Sequence, residues 1–168
     1  SVESIDEPRA GPRDVIVSVE RCGVCATDLH IFDGDFVSPY PLVPGHELSG
    51  VVVEVGAEVT ELRKGDRVAA DPTLTCGDCH YCRTARANHC EKWGAIGVTT
   101  PGGFAERVRV PAANCAGIGE LSFAEAAFIE PLACCVHGLT RLALAPGSDV
   151  CIFGSGAIGL QLAQMIRK

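Results

Sequence analysis

The sequence predicts a β-rich, mixed α+β domain that passes, near its end, into the opening βα unit of an α/β domain. Three observations carry this reading. The front two-thirds holds short β-branched runs punctuated by Gly and Pro. The composition then turns alanine-rich behind a helix-capping signal at Ser122. Finally, a short apolar run meets a GSGAIG turn and a helix-like segment.

The elements follow in order. Val15-Ile16-Val17-Ser18-Val19 is a strand after the turn signal Gly11-Pro12, and LSGVVVEV from Leu48 to Val55 is a second, closed by Gly56. Lys64-Gly65-Asp66-Arg67 makes a turn into Val68-Ala69-Ala70. Phe104 to Val110 alternates apolar and polar residues and stops at Pro111. Such short strands suggest a small barrel or sandwich. Ser122 and Glu125 form a capping box for an alanine-rich helix, which Pro131 interrupts before Leu132 to Leu144 resumes it. After Pro146-Gly147, Asp149 to Phe153 reads as a buried strand and Leu160 to Lys168 as a helix.

Composition narrows the function classes. Of 168 residues, 47% are hydrophobic and 21% charged, so the chain can bury a core. No apolar run approaches the ~20 residues of a membrane helix, and no basic start leads into an apolar signal segment. The net charge of −7, with scattered basic residues, argues against nucleic acid as a partner. Ten cysteines without a secretory signal favour metal ligation or buried thiols over a disulfide framework, and hence a cytoplasmic protein. The chain begins at Ser1 rather than Met, so an upstream targeting segment stays open.

The densest chemistry lies in CGDCHYCRTARANHC. Cys76, Cys79, Cys82 and Cys90 are separated by gaps of two, two and seven residues. A C-x₂-C turn brings two sulfurs to one ion, and four thiolates close a structural zinc tetrahedron. Two disulfides, four unconnected thiols and an iron–sulfur cluster are the other readings of the same spacing. A closed tetrathiolate performs no chemistry. It replaces a core in a lobe too poor in apolar residues to fold alone.

A second constellation offers an open site. Cys22 to His30 gathers a thiol, a hydroxyl, a carboxylate and an imidazole, and Gly45-His46-Glu47 follows sixteen residues after His30. A catalytic zinc takes three protein ligands and leaves one position free. Cys25 and His46 are its natural first ligands, with Glu47 or a distant acid as the third. Taken singly, each has a bland reading: a buried cysteine filling space, or a satisfied histidine.

In this order, GVCATDLH, PGHELSGVV, CGDCHYCRTARANHC, GGFAE, EPLACCVHG and VCIFGSGAIGL resemble the zinc-containing medium-chain alcohol dehydrogenases, nearest in look to their polyol (sorbitol-like) and threonine dehydrogenase branch. The resemblance covers nearly the whole chain. It implies a GroES-like catalytic domain over residues 1–145, with the structural zinc lobe at about 76–90, and an incomplete Rossmann domain over residues 146–168. It implies a second, catalytic zinc on Cys25 and His46, with Glu130 where the polyol branch has its glutamate ligand and Glu47 as alternate ligand or neighbour. Cys134 is a rival third ligand. Asp28 would orient His46, while Thr27 and His30 would relay the proton. The implied reaction oxidises a secondary alcohol or polyol, with hydride transfer to NAD or NADP. An L-threonine 3-dehydrogenase-like or simple alcohol dehydrogenase, or a non-enzymatic zinc module, are the alternatives. The resemblance also implies a homo-oligomer, dimer or tetramer, for the whole protein.

Gly154, Gly156 and Gly159 follow the expected strand and open the expected helix, the context in which G-x-G-x-x-G cradles a pyrophosphate. Only about 20 residues run from Asp149 to Lys168, against ~30 or more for a βαβ unit. The sequence therefore reads as a fragment, one expected to lack turnover and to leave Val150, Ile152, Ile158 and Leu162 uncovered.

Overall fold

A computed structural model of the chain describes residues 2–167; Ser1 and Lys168, the ends of two expected segments, lie outside them. Five strands form one antiparallel sheet: β1 (Asp14–Gly23), β2 (Glu47–Val55), β3 (Arg67–Ala70), β6 (Arg107–Pro111) and β7 (Cys115–Gly117), in the order β6-β1-β2-β3-β7. Two register irregularities bend β1 against β2. A two-stranded ribbon, β4 (Thr73–Leu74) with β5 (Gly94–Ala95), carries the four-cysteine lobe between its strands.

Strand alternation builds the core. Val15 and Val17 of β1, Val52 of β2, Val68 of β3 and Val108 and Val110 of β6 pack with Leu48 and Ile96 in one buried cluster. Each such side chain contributes ~1.5–3 kcal/mol on leaving water. A second cluster, Ala69, Ile118 and Ala126 with Phe123 and Ile129 against them, docks α3 (Phe123–Ala127) on the sheet. Ser49, fully buried, donates its hydroxyl to the Phe123 carbonyl at 2.6 Å and fixes that docking. Arg67 holds the approach to α3 by donating to the Gly119 and Leu121 carbonyls, with its guanidinium 4.6 Å above the Phe123 ring.

Several boundaries differ from the sequence reading. The alternating pattern from Phe104 becomes strand only at Arg107, because the Gly102, Gly103 and Phe104 N–H groups bond instead to the carbonyls of Val43, Gly45 and Pro44. Pro131 does not break a helix. The break falls at Phe128, and α4 (Ile129–Leu142) takes Pro131 into its first turn, where a missing N–H costs no intrahelical bond. Residues 149–153 join no sheet among the described residues, since a strand exists only by pairing and nothing there pairs with it. The final helix, α5 (Ala157–Ile166), starts three residues earlier than expected. Val150 and Ile158 are exposed as anticipated, whereas Ile152 and Leu162 are half-buried in a cleft described below. No helix among the described residues is long and apolar enough to cross a membrane.

Candidate metal centre

All ten cysteines are free. In the lobe, the sulfurs of Cys76, Cys79, Cys82 and Cys90 lie within 4.8 Å of one another. Cys76 is 3.5 Å from Cys90 and 3.9 Å from Cys82. Zn–S bonds of about 2.3 Å in a tetrahedron place sulfurs about 3.8 Å apart, whereas a disulfide needs about 2.05 Å. The donor set therefore fits a tetrathiolate metal and excludes disulfides in this geometry. Local backbone folds to serve it. Cys79 caps the short helix α2 (His80–Arg83) and its sulfur accepts the Cys82 N–H; the Cys90 sulfur accepts from the N–H groups of Cys76 and Lys92. Backbone donation from Cys82 and Glu91 holds the Cys79 thiol down at about 6, in the direction that metal binding requires. Cys90 is the only buried residue between 76 and 90, so the lobe has no apolar core of its own.

The second group sits at the end of β1 and the start of β2. One ligand atom each from Cys25, His46 and Glu47 lies within 4.8 Å of the others. β1 delivers Cys25 past Gly23, which pairs in register with Glu47. Helix α1 (Ala26–Asp33) begins there, and its Asp28 organises the site. The buried Asp28 carboxylate accepts the Cys25 N–H at 2.8 Å and the Gly45 N–H at 3.1 Å, and stands 3.5 Å from His46 Nδ1. Asp28 and His46 are 5% and 8% exposed, and His46 Nδ1 is buried beside this carboxylate with no hydrogen-bond partner among the described residues. Cys22 and Cys115 lie outside both candidate ligand groups, and burial pushes both thiols up to about 12.

The remaining sequence-predicted residues are distributed as follows. Thr27 Oγ1 lies 3.5 Å from the Cys25 sulfur; His30 stands one turn on, exposed, in the last turn of α1. Glu130, half-buried in the first turn of α4, is outside the Cys25–His46–Glu47 group. It is still near enough for His46 to pull its carboxyl down against the burial that raises it. One turn further, Cys134 Sγ approaches Glu130 Oε1 at 3.6 Å.

The glycine turn faces the same space. Gly154 has φ +108°, a conformation open to glycine, and a Cβ on Gly159 would stand 2.0 Å from the Gly154 carbonyl oxygen, so α5 can close on the turn. A cleft of about 560 Å³ runs from Cys25 and Glu47, past Phe128, to Gly154, Gly156 and Ile158. Two residues that position the centre escaped the sequence reading. Gly23 leaves room for the Glu47 carboxylate, which only strand register reveals; Gly45 supplies an N–H to Asp28, and its place before His46 was the available signal.

The alcohol dehydrogenase GroES-like domain signature matches residues 11–120. D-arabinitol dehydrogenase 1 of Uromyces fabae is 40% identical over 167 residues, covering 99% of this chain and 48% of that protein. A protein described as a zinc-binding dehydrogenase from Sinorhizobium meliloti 1021, solved bound to NADP, superposes with TM-score 0.96 at 43% identity, covering 99% of this chain and 49% of that one. A thermostable alcohol dehydrogenase from Pyrobaculum aerophilum, solved with cobalt and zinc bound, gives TM-score 0.89 at 34% identity, covering 95% of this chain and 50% of that one. The chain spans about half the length of the relatives it matches.

Proposed function

The chain belongs to the alcohol dehydrogenase GroES-like domain family, and from that premise we propose that it carries the metal centre of a zinc- and NAD(P)-dependent polyol dehydrogenase acting on a secondary alcohol. The carrying observation is the convergence of Cys25, His46 and Glu47 within 4.8 Å, backed by buried Asp28 and opening on the cleft that ends at the glycine turn. A purely structural module has no use for an incomplete ligand set beside such a cleft. The likeness to a D-arabinitol dehydrogenase supports a polyol over a simple primary alcohol.

In this reading Cys25, His46 and Glu47 hold the metal, with Glu130 a further carboxylate beside it. A metal here supplies Lewis-acid polarisation of the substrate hydroxyl, and a bound nicotinamide accepts the hydride. Asp28 keeps the His46 imidazole in one orientation. Thr27, next to Cys25, takes the proton released by the substrate hydroxyl and passes it along α1 to exposed His30, whose imidazole can exchange it with water. Gly154 and Gly159 let the backbone approach a pyrophosphate at the start of α5. The four-cysteine lobe holds the second, structural zinc. For the whole protein the same reading carries a cytoplasmic location and a homo-oligomer.

Elemental analysis of the purified chain tests the centre. Two zincs per chain are expected, falling to one in Cys25→Ser. A single zinc in the wild-type chain, unchanged in Cys25→Ser, would overturn the proposal.

A further inference from the structure

Glu130 and Cys134 lie one turn apart on α4, and the Cys134 thiol meets the Glu130 carboxylate at 3.6 Å. Glu130 is close enough to sense His46, Glu47 and Asp71, yet it stands outside the three-donor group. Cys134 also lies within electrostatic reach of Cys25. Two carboxylates thus compete for one third position, and one of them already has a partner. Glu47 is carried by the rigid start of β2, paired with Gly23. Glu130 is a half-buried side chain in the first turn of α4.

We propose that Cys134 is a positioning residue: its S–H holds the Glu130 carboxylate off the metal, leaving Glu47 as the third donor and one position open for substrate. This rests on the metal-centre reading above. A thiol is a weak donor, and it gives a hold that is reversible instead of permanent. Released from Cys134, Glu130 is free to reach the centre as a fourth protein donor, and a four-donor zinc site is closed to substrate.

The test uses the chain loaded with Co²⁺ at the catalytic centre. Cys134→Ala is expected to slow metal loss to a chelator about fivefold, the size of one ordinary hydrogen bond, and to change the cobalt visible spectrum. Cys134→Ser keeps a donor and should return both readouts to wild type. Adding Glu130→Gln to Cys134→Ala should remove the gain. Metal loss from Cys134→Ala that is unchanged or faster, with an unmoved spectrum, would overturn this inference and leave the centre standing. A wild-type chain that binds no metal at Cys25 and His46 would overturn both. Cys134 is exposed, so the substitutions leave the buried core intact.

Discussion

Adding one methyl group at Gly23 should weaken metal binding at the proposed Cys25–His46–Glu47 centre and spare everything else. Gly23 ends β1 opposite Glu47, and its φ lies outside the left-handed region, so the backbone accepts alanine. A Cβ there would stand 2.0 Å from Glu47 Oε2 and 3.1 Å from that residue's Cβ and Cδ. Real Cβ contacts essentially never fall below 3.0 Å, so the carboxylate oxygen must retreat by about 1 Å. A Zn–O bond is only about 2.0–2.2 Å long, so a retreat of that size breaks it. The side chain is flexible at its far end, and the fold should change stability by less than about 1 kcal/mol. Metal affinity at Cys25, His46 and Glu47 should fall by about 10–100-fold, the usual range when a ligand loses its support. The assay is zinc per chain after equilibration with a graded chelator. Gly23→Ala should reach one zinc at a chelator level where wild type keeps two, while the thermal melt stays in place. Retention of both zincs at wild-type chelator levels would refute the claim that Gly23 makes room for a metal-binding Glu47.

Two further outcomes follow from the helix ends. Ser122→Ala removes the cap of α3 and should lower stability by about 1 kcal/mol in chemical denaturation. The Ser122 hydroxyl and N–H hold the Glu125 carboxyl below its ordinary value of 4.5, so this pair's contribution is fully present above that pH and fades as pH falls through the lowered value. The penalty of Ser122→Ala should accordingly shrink in acid; a penalty that grows on acidification would contradict the assignment. At the C-terminal end of α4, Ala143 adopts φ 47° and ψ 50°, a left-handed cap that costs a non-glycine residue about 1–2 kcal/mol. Ala143→Gly should raise the melting temperature by about 2–4 °C for each kcal/mol recovered beyond the added chain entropy. A lowered melting temperature would show that the cap is not strained.

Much of this is legible in the sequence. Cysteine spacing alone names the lobe, since a tetrathiolate needs sulfurs that short local turns can bring together. The capping box at Ser122 and Glu125 and the β-branched runs near Val15 and Leu48 are local signals, and each formed where it was expected. Helix α1 gave no such signal, because its cap is Cys25, held by Asp28 from inside the helix, in place of the usual Ser, Thr, Asp or Asn. The late start of β6 was equally hidden: the N–H groups of Gly102, Gly103 and Phe104 are claimed by a loop some sixty residues earlier in the chain.

The division between the two levels follows the reach of the forces. The sequence by itself determined what short range decides: the residue types that bind a soft metal, their spacing within one loop, the glycine turn before a helix, and the acidic character of the chain. Only the tertiary structure brings one carboxylate, Glu47, within 4.8 Å of the Cys25 and His46 ligand atoms and leaves Glu130 outside that group. Glu47 and Glu130 are the same side chain 83 residues apart. What separates them is that β1 and β2 pair Gly23 with Glu47, leaving space where any other side chain would block it, while α4 gives Glu130 a thiol to bind. Strand register and helix docking are set by the burial of a whole core, and no local run of residues carries that information.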